Sequence, residues 1–266
     1  MDLQLSGKRA LVTGGSRGIG KAVAMALAAE GASVAIAARS PEPLEAAARE
    51  ISRDTGRPVH AIPVDTGDDA QVTAMAGRAR DAMGGVDILV NAAATPAGQS
   101  RAPRFGEITA EAFWADVNIK VLGYLRCAQA LAPGMIEAGW GRIINISGLN
   151  ARTAGSAIGS MRNVSVAAMT KNLADELGPQ GVNVTVVHPG LTRTEAFPAT
   201  VAAIAEAQGI ERAEAERRLA RHNTLGRIVD AGEVAAVVAF LASPRSVAIN
   251  GDAVACGGGI PGAIHY

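Results

Sequence analysis

Seven short runs of aliphatic and β-branched residues, at 9–13, 33–37, 59–64, 86–91, 142–147, 183–188 and 253–256, constrain this chain more than any other feature. Most are apolar at nearly every position rather than at alternate ones, as strands covered on both faces must be. Two covered faces require helices on both sides, and alanine-rich segments between the runs are long enough to provide them. One such segment, 21–30, carries Val23 and Leu27 on one face and stops at Gly31. Another follows Thr109, takes in Glu111, Phe113 and Trp114, and continues to Glu137. Strand–helix alternation of this kind implies right-handed crossovers and a parallel, doubly wound (Rossmann) α/β sheet of about seven strands. There is no internal repeat, low-complexity tract or linker, so residues 1–266 are expected to form one domain.

One stretch breaks the alternation. Residues 195–227 hold two further expected helices, 199–207 and 211–221, where a bare sheet needs only a short connection. Insertions beyond strand C-termini lie near the ligand crevice of open α/β sheets, so this segment reads as a lid, or as a solvated helical excursion.

Charge narrows the partners. The 25 basic side chains balance the 25 acidic ones, which argues against nucleic acid or a membrane surface and for a small-molecule partner. No apolar run approaches the ~18 residues of a membrane span. The start, Met1-Asp2-Leu3-Gln4, has no basic region before an apolar core and so is unlike a signal peptide. Cys127 and Cys256 have neither paired nor metal-ligand spacing and read as buried thiols. A cytoplasmic protein without a metal centre is expected.

The first apolar run ends in Thr13-Gly14-Gly15-Ser16-Arg17-Gly18-Ile19-Gly20. Glycines there permit a tight turn and let backbone N–H groups and a helix N-terminus approach a pyrophosphate. A glycine pattern alone is weak, but strand, turn and helix stand in the required order. The second run ends in Ala37-Ala38-Arg39-Ser40, with no carboxylate before Glu42. An acidic residue at that point would grip the ribose 2′-hydroxyl of NAD. Arg39 and Arg17 suit a 2′-phosphate instead, which favours NADP(H) over NAD(H); the alternative is that both are simply solvated.

These motifs resemble the short-chain dehydrogenase/reductase family from end to end. The resemblance implies that Asp65, in Val64-Asp65, contacts the adenine amino group. Asn91-Ala92-Ala93-Ala94 is similar to the family's Asn-Asn-Ala-Gly, with the second Asn and the Gly replaced by Ala, and the resemblance places Asn91 among the cofactor-binding residues. Asn118 falls on an asparagine that holds a water in a proton relay. Pro189-Gly190 leads to Thr194, the position that holds the nicotinamide carboxamide. Gly226-Arg227, Glu233-Val234-Ala235 and Gly257-Gly258 also match. The family further implies a homo-oligomer, a dimer or tetramer.

The catalytic positions depart from that pattern. Hydride arriving at a ketone leaves an alkoxide, which needs an acid within hydrogen-bond reach; in the family this is a serine–tyrosine–lysine set. Anchoring on Lys171–Pro179 and counting back puts the tyrosine position on Gly159 and the lysine position, which holds the nicotinamide ribose, on Asn163. No shift repairs this, because no tyrosine lies between Tyr124 and Tyr266 and no lysine between Lys120 and Lys171. The usual Ser-Ser ending the fifth strand is Ser147-Gly148, so Ser147 either substitutes or does not, depending on the loop 149–158.

Candidates for the missing acid are few. Ser156 and Ser160 are poor acids without a base. His188 could titrate near neutrality but also suits a structural role. Arg152 and Arg162 could stabilise an alkoxide yet stay protonated. Tyr266 and His265 could act across a subunit boundary or be frayed, and Tyr124 is expected to pack. The preferred function is an NADP-dependent oxidoreductase with an atypical active site, in which Asn118 and Ser147 hold a water, acting on a small carbonyl, imine or quinone-like compound. Phe197 and Leu191 hint at an apolar one. The alternatives are a non-catalytic NADP-binding or subunit-partner protein that uses 113–137 and 160–178 to assemble, and a lyase or isomerase.

Overall fold

The structure, a computed structural model, describes residues 1–94 and 103–264. Seven strands form one sheet, every neighbouring pair parallel: β1 (Arg9–Thr13), β2 (Ser33–Ala38), β3 (Val59–Pro63), β4 (Ile88–Asn91), β5 (Gly141–Ile146), β6 (Val182–Pro189) and, last in the chain, β9 (Ala253–Cys256). Their order, β3-β2-β1-β4-β5-β6-β9, reverses direction between β1 and β4. That reversal opens a crevice beyond the strand C-termini, where ligands bind in such sheets.

Continuous apolarity has the expected cause. Along β1, Val12 belongs to the core on one face and Leu11 to the core on the other, both fully buried. The first face is covered by α1 (Gly18–Ala29), α2 (Pro41–Thr55) and α9 (Ala231–Ala242), through Val23, Leu27, Leu44, Ile51, Val234 and Val238. The second is covered by α3 (Asp69–Met83), α5 (Gly123–Glu137) and α6 (Ala157–Leu177), through Val72, Met75, Leu131, Met135 and Leu177.

Several boundaries differ from those expected. Helix α1 begins at Gly18 rather than residue 21, so its first turn is the glycine turn itself. Strand β4 starts at Ile88 rather than 86, because Asp87 is occupied with Arg9. The helix after Thr109 is not uniform: α4 (Ala110–Val117), capped by Thr109 Oγ1 on the Ala112 N–H at 3.2 Å, passes into a π-helical turn, Asn118–Leu122, before α5. Cys127 is buried as expected but Cys256 is only half-buried; both are free thiols.

The insertion contains both anticipated helices, α7 (Phe197–Gln208) and α8 (Arg212–Ala220). A pair of two-residue strands that sequence reasoning missed, β7 (Thr192–Arg193) and β8 (Val229–Asp230), brackets them. The two helices close a core of their own from Phe197, Val201, Ala205, Ala215, Ala220 and Ile228. Phe197 is therefore spent inside the insertion, with Arg193 stacked 4.7 Å from its ring, and does not offer an apolar wall to a substrate. No helix of the described residues is long and apolar enough to cross a membrane.

At the N-terminal ends of the central strands, away from the crevice, Arg9 ties β1 to the start of β4. Its Nε and Nη2 donate to Asp87 at 2.9 and 2.6 Å, and its backbone N–H donates to the same carboxylate at 2.9 Å. Burial by itself pushes the Asp87 carboxyl up, but the Arg9 hydrogen bonds and charge outweigh it and hold the group below the ordinary carboxylate range. A depressed acid stabilises the fold above its unfolded-state pKa, and that contribution disappears as pH falls through the folded one. Asp87→Asn should thus cost about 2 kcal/mol at pH 7, and urea denaturation should show the gap from wild type narrowing towards pH 3.

Candidate functional site

The crevice is built on a backbone approach that admits no side chain at position 14. Gly14 has φ of +68°, and a Cβ there would stand 2.6 Å from the Ala92 carbonyl oxygen. Thr13 secures the same contact from its own strand, its Oγ1 accepting from the N–H groups of Ala92 and Ala93 at 3.2 and 3.3 Å. With β1 and β4 clamped in this way, the first turn of α1 faces the crevice. A carboxylate already sits on it: the Gly18 N–H donates to Glu195 Oε2 at 2.9 Å, and Lys21 Nζ lies 3.9 Å from Glu195 Oε1. The turn therefore does hold an anion, as a helix N-terminus with a free N–H should. Thr194, next to Glu195, stands over the turn, its methyl 3.5 Å from where a Gly18 Cβ would be. The start of the insertion thus lies against the glycine turn.

At the adenosine end the arginines are free to bind. Arg17, Arg39 and Ser40 are exposed beyond β1 and β2, and neither guanidinium has an ion-pair or hydrogen-bond partner among the described residues. Asp65 accepts from the Gly67 N–H at 2.9 Å through Oδ1, which orders the loop after β3. These features fit a phosphorylated dinucleotide: an anion cradle at the pyrophosphate position, with unpaired guanidinium groups where a 2′-phosphate would lie.

Asn91 departs from expectation. Its side chain is fully buried, and its amide donates to Asn145 Oδ1 at 3.0 Å, which braces β4 against β5 instead of reaching into the crevice. Asn145 in turn donates to Thr170 Oγ1 on α6 at 2.9 Å.

The reaction end gathers buried polar atoms that lack partners. Among the described residues these are Asn91 Oδ1, Arg162 Nε, Asn163 Oδ1 and His188 Nδ1. They lie at the C-terminal ends of β4 and β6 and on the first turns of α6. Orphaned polar atoms are uncommon in folded interiors, and clustering beside a cofactor crevice marks a site. Ser147, just beyond β5, is buried and donates from Oγ to the Asn163 carbonyl at 3.0 Å. A Cβ on Gly148 would lie 2.9 Å from Asn163 Nδ2, so glycine at 148 and asparagine at 163 fit each other. Gly159 is buried as well; a Cβ there would meet Ser156 Oγ at 3.1 Å and Asn150 Nδ2 at 3.6 Å. Ser156 caps α6 by accepting from the Gly159 N–H. A cavity of about 620 Å³ opens beside this loop, lined in part by Asn150, Arg152, Ser156 and Ser160.

Asn118 is engaged at its side-chain NH2 and at its backbone carbonyl. Its amide donates to the Gly67 carbonyl at 3.1 Å, and its backbone carbonyl accepts from Arg126 at 3.0 Å. Tyr124 packs as expected, buried with its hydroxyl on the Ile146 carbonyl at 3.0 Å, and burial raises its pKa. His265 and Tyr266 lie outside the described residues.

The residue that sequence reasoning counted but did not place is Lys120. It belongs to the π-helical turn, is 4% exposed, and donates from Nζ to the Ser147 carbonyl at 2.9 Å. Beside it, Arg162 of α6 pairs with Asp116 of α4 through contacts of 2.5 and 2.7 Å. Burial, then the Arg162 charge, pulls the Lys120 pKa down to about 7 against the opposing pull of Asp116. Burial lowers His188 to about 4, assisted by the charges of Arg152 and Lys120, so its imidazole is neutral at pH 7. The available signal was a lone charge inside Val117-Asn118-Ile119-Lys120-Val121-Leu122.

Comparison with known proteins agrees with this geometry. Residues 14–261 match a family described as enoyl-(acyl carrier protein) reductase. The short-chain reductase protein NovJ of Streptomyces niveus is 35% identical, covering 95% of this chain and 93% of its own. The 3-oxoacyl-[acyl-carrier-protein] reductase FabG of Aquifex aeolicus is 31% identical over 98% of this chain and 100% of its own. Among solved structures, L-sorbose reductase of Gluconobacter frateurii, complexed with NADPH and L-sorbose, superposes with a TM-score of 0.93 at 30% identity, covering 99% and 100% of the two chains. A short-chain dehydrogenase of Burkholderia cenocepacia complexed with NADP gives 0.82 at 36%, covering 96% and 98%. The chain belongs to the short-chain dehydrogenase/reductase family.

Because Glu195 occupies the N–H that a pyrophosphate would use, it competes with the coenzyme. Glu195→Ala should tighten NADPH binding about three- to tenfold, given the size of charge effects at helix termini and their strengthening by a second anion; calorimetry at fixed ionic strength measures it.

Proposed function

We propose that this protein is an NADPH-dependent reductase that works without the family's tyrosine–lysine pair, on a small carbonyl, imine or quinone-like substrate. One observation carries the reading: a dinucleotide crevice with unpaired Arg17 and Arg39 adjoins a reaction end that has Gly159 and Asn163 at the pair's positions, with Tyr124 turned away. Bound NADPH supplies a hydride, two electrons and one hydrogen, to an electrophilic carbon. The residues of this chain do the rest. Gly18 and the α1 N-terminus hold the pyrophosphate, with Ser16, Ile19 and Gly20 shaping the turn. Arg17 and Arg39 take the 2′-phosphate beside Ser40, and Asp65 takes the adenine amino group. Pro189, Gly190 and Thr194 position the nicotinamide, and Asn163 faces its ribose. Ser147 and Asn118 stand nearest to where a relay water would be held, although both already carry protein hydrogen bonds.

Substrate class follows from the missing acid. An iminium becomes a neutral amine on receiving hydride, and a quinone becomes a resonance-stabilised phenolate; neither demands a proton in the same step. A simple ketone leaves a strongly basic alkoxide and gains most from an acid. The names of the relatives, among them reductases of 3-oxoacyl and sugar substrates, support hydride transfer to a carbon–heteroatom double bond as the reaction class.

A second reading, a binding or subunit-partner protein, has its own support in apolar side chains left exposed on adjoining helices. Trp114 is 59% exposed, Met161 46% and Val164 50%, and α4 packs on α6. The same surface suits a homo-oligomer of the active protein. Light scattering should give a mass above that of one 27.0 kDa chain, and Val164→Glu should reduce it.

The decisive assay is steady-state NADPH oxidation with carbonyl, imine and quinone panels. Turnover is expected to be fastest with imines or quinones, and no turnover on any of them, despite NADPH binding, would remove the enzyme reading. Arg39→Ala should weaken NADPH about tenfold or more, the scale of a lost charge-assisted contact, while leaving NADH affinity unchanged.

A further inference from the structure

We propose that Lys120 is the buried cation of this active site: a positioning residue that supplies, from the π-helical turn of Asn118–Leu122, the positive charge that α6 lacks at position 163. This rests on the reductase reading above, and four structural facts lead to it. First, a π-helical turn is a local defect that costs stability and recurs at functional sites; here it contains the one lysine that is buried. Second, Lys120 Nζ reaches the carbonyl of Ser147 at 2.9 Å, and Ser147 Oγ in turn reaches the carbonyl of Asn163 at 3.0 Å. Through Ser147, which accepts from the ammonium at its carbonyl and donates from its hydroxyl to the Asn163 carbonyl, Lys120 is thus linked to the main chain at the position where the family's lysine would stand. Third, an ammonium has three donors, and one is used within the protein. Nearby, Asn163 Oδ1 and His188 Nδ1 are buried acceptor-capable atoms without partners. Fourth, the local charge does not cancel. Arg162 is consumed by Asp116, which leaves Lys120 uncompensated in a site where burying an unpaired charge is expensive.

A structural explanation for such a lysine is poor, because methionine would fill the same space without the desolvation cost. A functional one is direct. When hydride bonds to a carbonyl or quinone carbon, the π pair of the C=O bond moves onto the oxygen, which takes its proton from solvent water; a preformed iminium develops no such negative charge and gains nothing from the cation. A fixed positive charge behind Ser147 stabilises the negative charge developing on that oxygen without being consumed. Only the protonated lysine serves, so activity falls as pH rises through its pKa. The charged groups that set this titration are Arg162 on α6 and Asp116 on α4, and His188 faces Lys120 as a neutral group. Burial and Arg162 place the Lys120 pKa at about 7.

Two measurements test this. In protein labelled with 15N-lysine, the Nζ signals of Lys8, Lys21, Lys120 and Lys171 are assigned by elimination with K8R, K21R and K171R. Lys120 is expected to lose its proton near pH 7 and to shift when NADP⁺ is added. Separately, the wild-type kcat for the best substrate of the panel should decline through the same pH. Lys120→Met should lower kcat about 100-fold, the scale of losing one preorganised charge-stabilising group, abolish that pH limb and leave the KM for NADPH little changed. Lys120→Met with Asn163→Lys should recover part of the rate, since it returns the cation to α6. A Lys120 signal that stays protonated to the ordinary lysine range and ignores NADP⁺ overturns the proposal, as does a folded Lys120→Met protein with the wild-type pH profile. If the wild-type chain oxidises no NADPH, the reductase reading fails, while the labelled-lysine titration still decides the state of Lys120. Should Lys120→Met not fold, the wild-type titration and NADP⁺ response decide alone.

Discussion

The close passage of Gly14 against Ala92 is the constraint on which the site depends. It places the end of β1 within backbone contact of the loop after β4, at the point where the strand order reverses. From that contact follow the direction of α1, the exposure of its first N–H groups and the position of Thr194 and Glu195 above them. A side chain at 14 would push β4 away and, with it, Asn91 and the brace to Asn145 and α6. The cofactor end and the reaction end are thus held by one continuous set of backbone and amide contacts, not by two separate local structures.

Most of that frame was legible in the sequence because it is encoded locally. Continuous apolar runs locate strands buried on both faces, and a glycine turn between strand and helix locates the crevice. What escaped is encoded by tertiary packing. The π-helical turn leaves no pattern in Val117–Leu122 that a 3.6-residue period would reveal, since it is one extra residue accommodated by the surroundings. The depressed pKa of Lys120 depends on Arg162, 42 positions later, and on the burial that α6 provides. Phe197 shows the converse error. An aromatic residue near a crevice suggested a substrate wall, yet the insertion is large enough to need a core, and Phe197 fills it. Asn91 misled for a similar reason: its motif marks the crevice, but its amide is engaged in holding β4 to β5.

At the reaction end, residues at several positions accommodate each other. Glycine at 148 leaves the room that the Asn163 amide occupies, and glycine at 159 lets the loop through Asn150 and Ser156 close onto α6. Reintroducing a tyrosine at 159 would press first on Ser156 Oγ, which caps that helix. A side chain at 159 and the path of the loop through Asn150 and Ser156 are consequently coupled, and changing one without the other would not keep the geometry.

Two cationic side chains, Arg152 and Lys120, act on His188, while Arg162 acts on Lys120 and pairs with Asp116. The imidazole is neutral because it is buried and because its neighbours are already charged. Neutral imidazole is a weak acid, so His188 is better suited to orient a substrate or a water than to donate its proton. A site arranged in this way favours charge stabilisation over proton donation. On the reductase reading proposed above, such a site suits acceptors that build only moderate negative charge in the transition state, such as quinones, better than an isolated ketone.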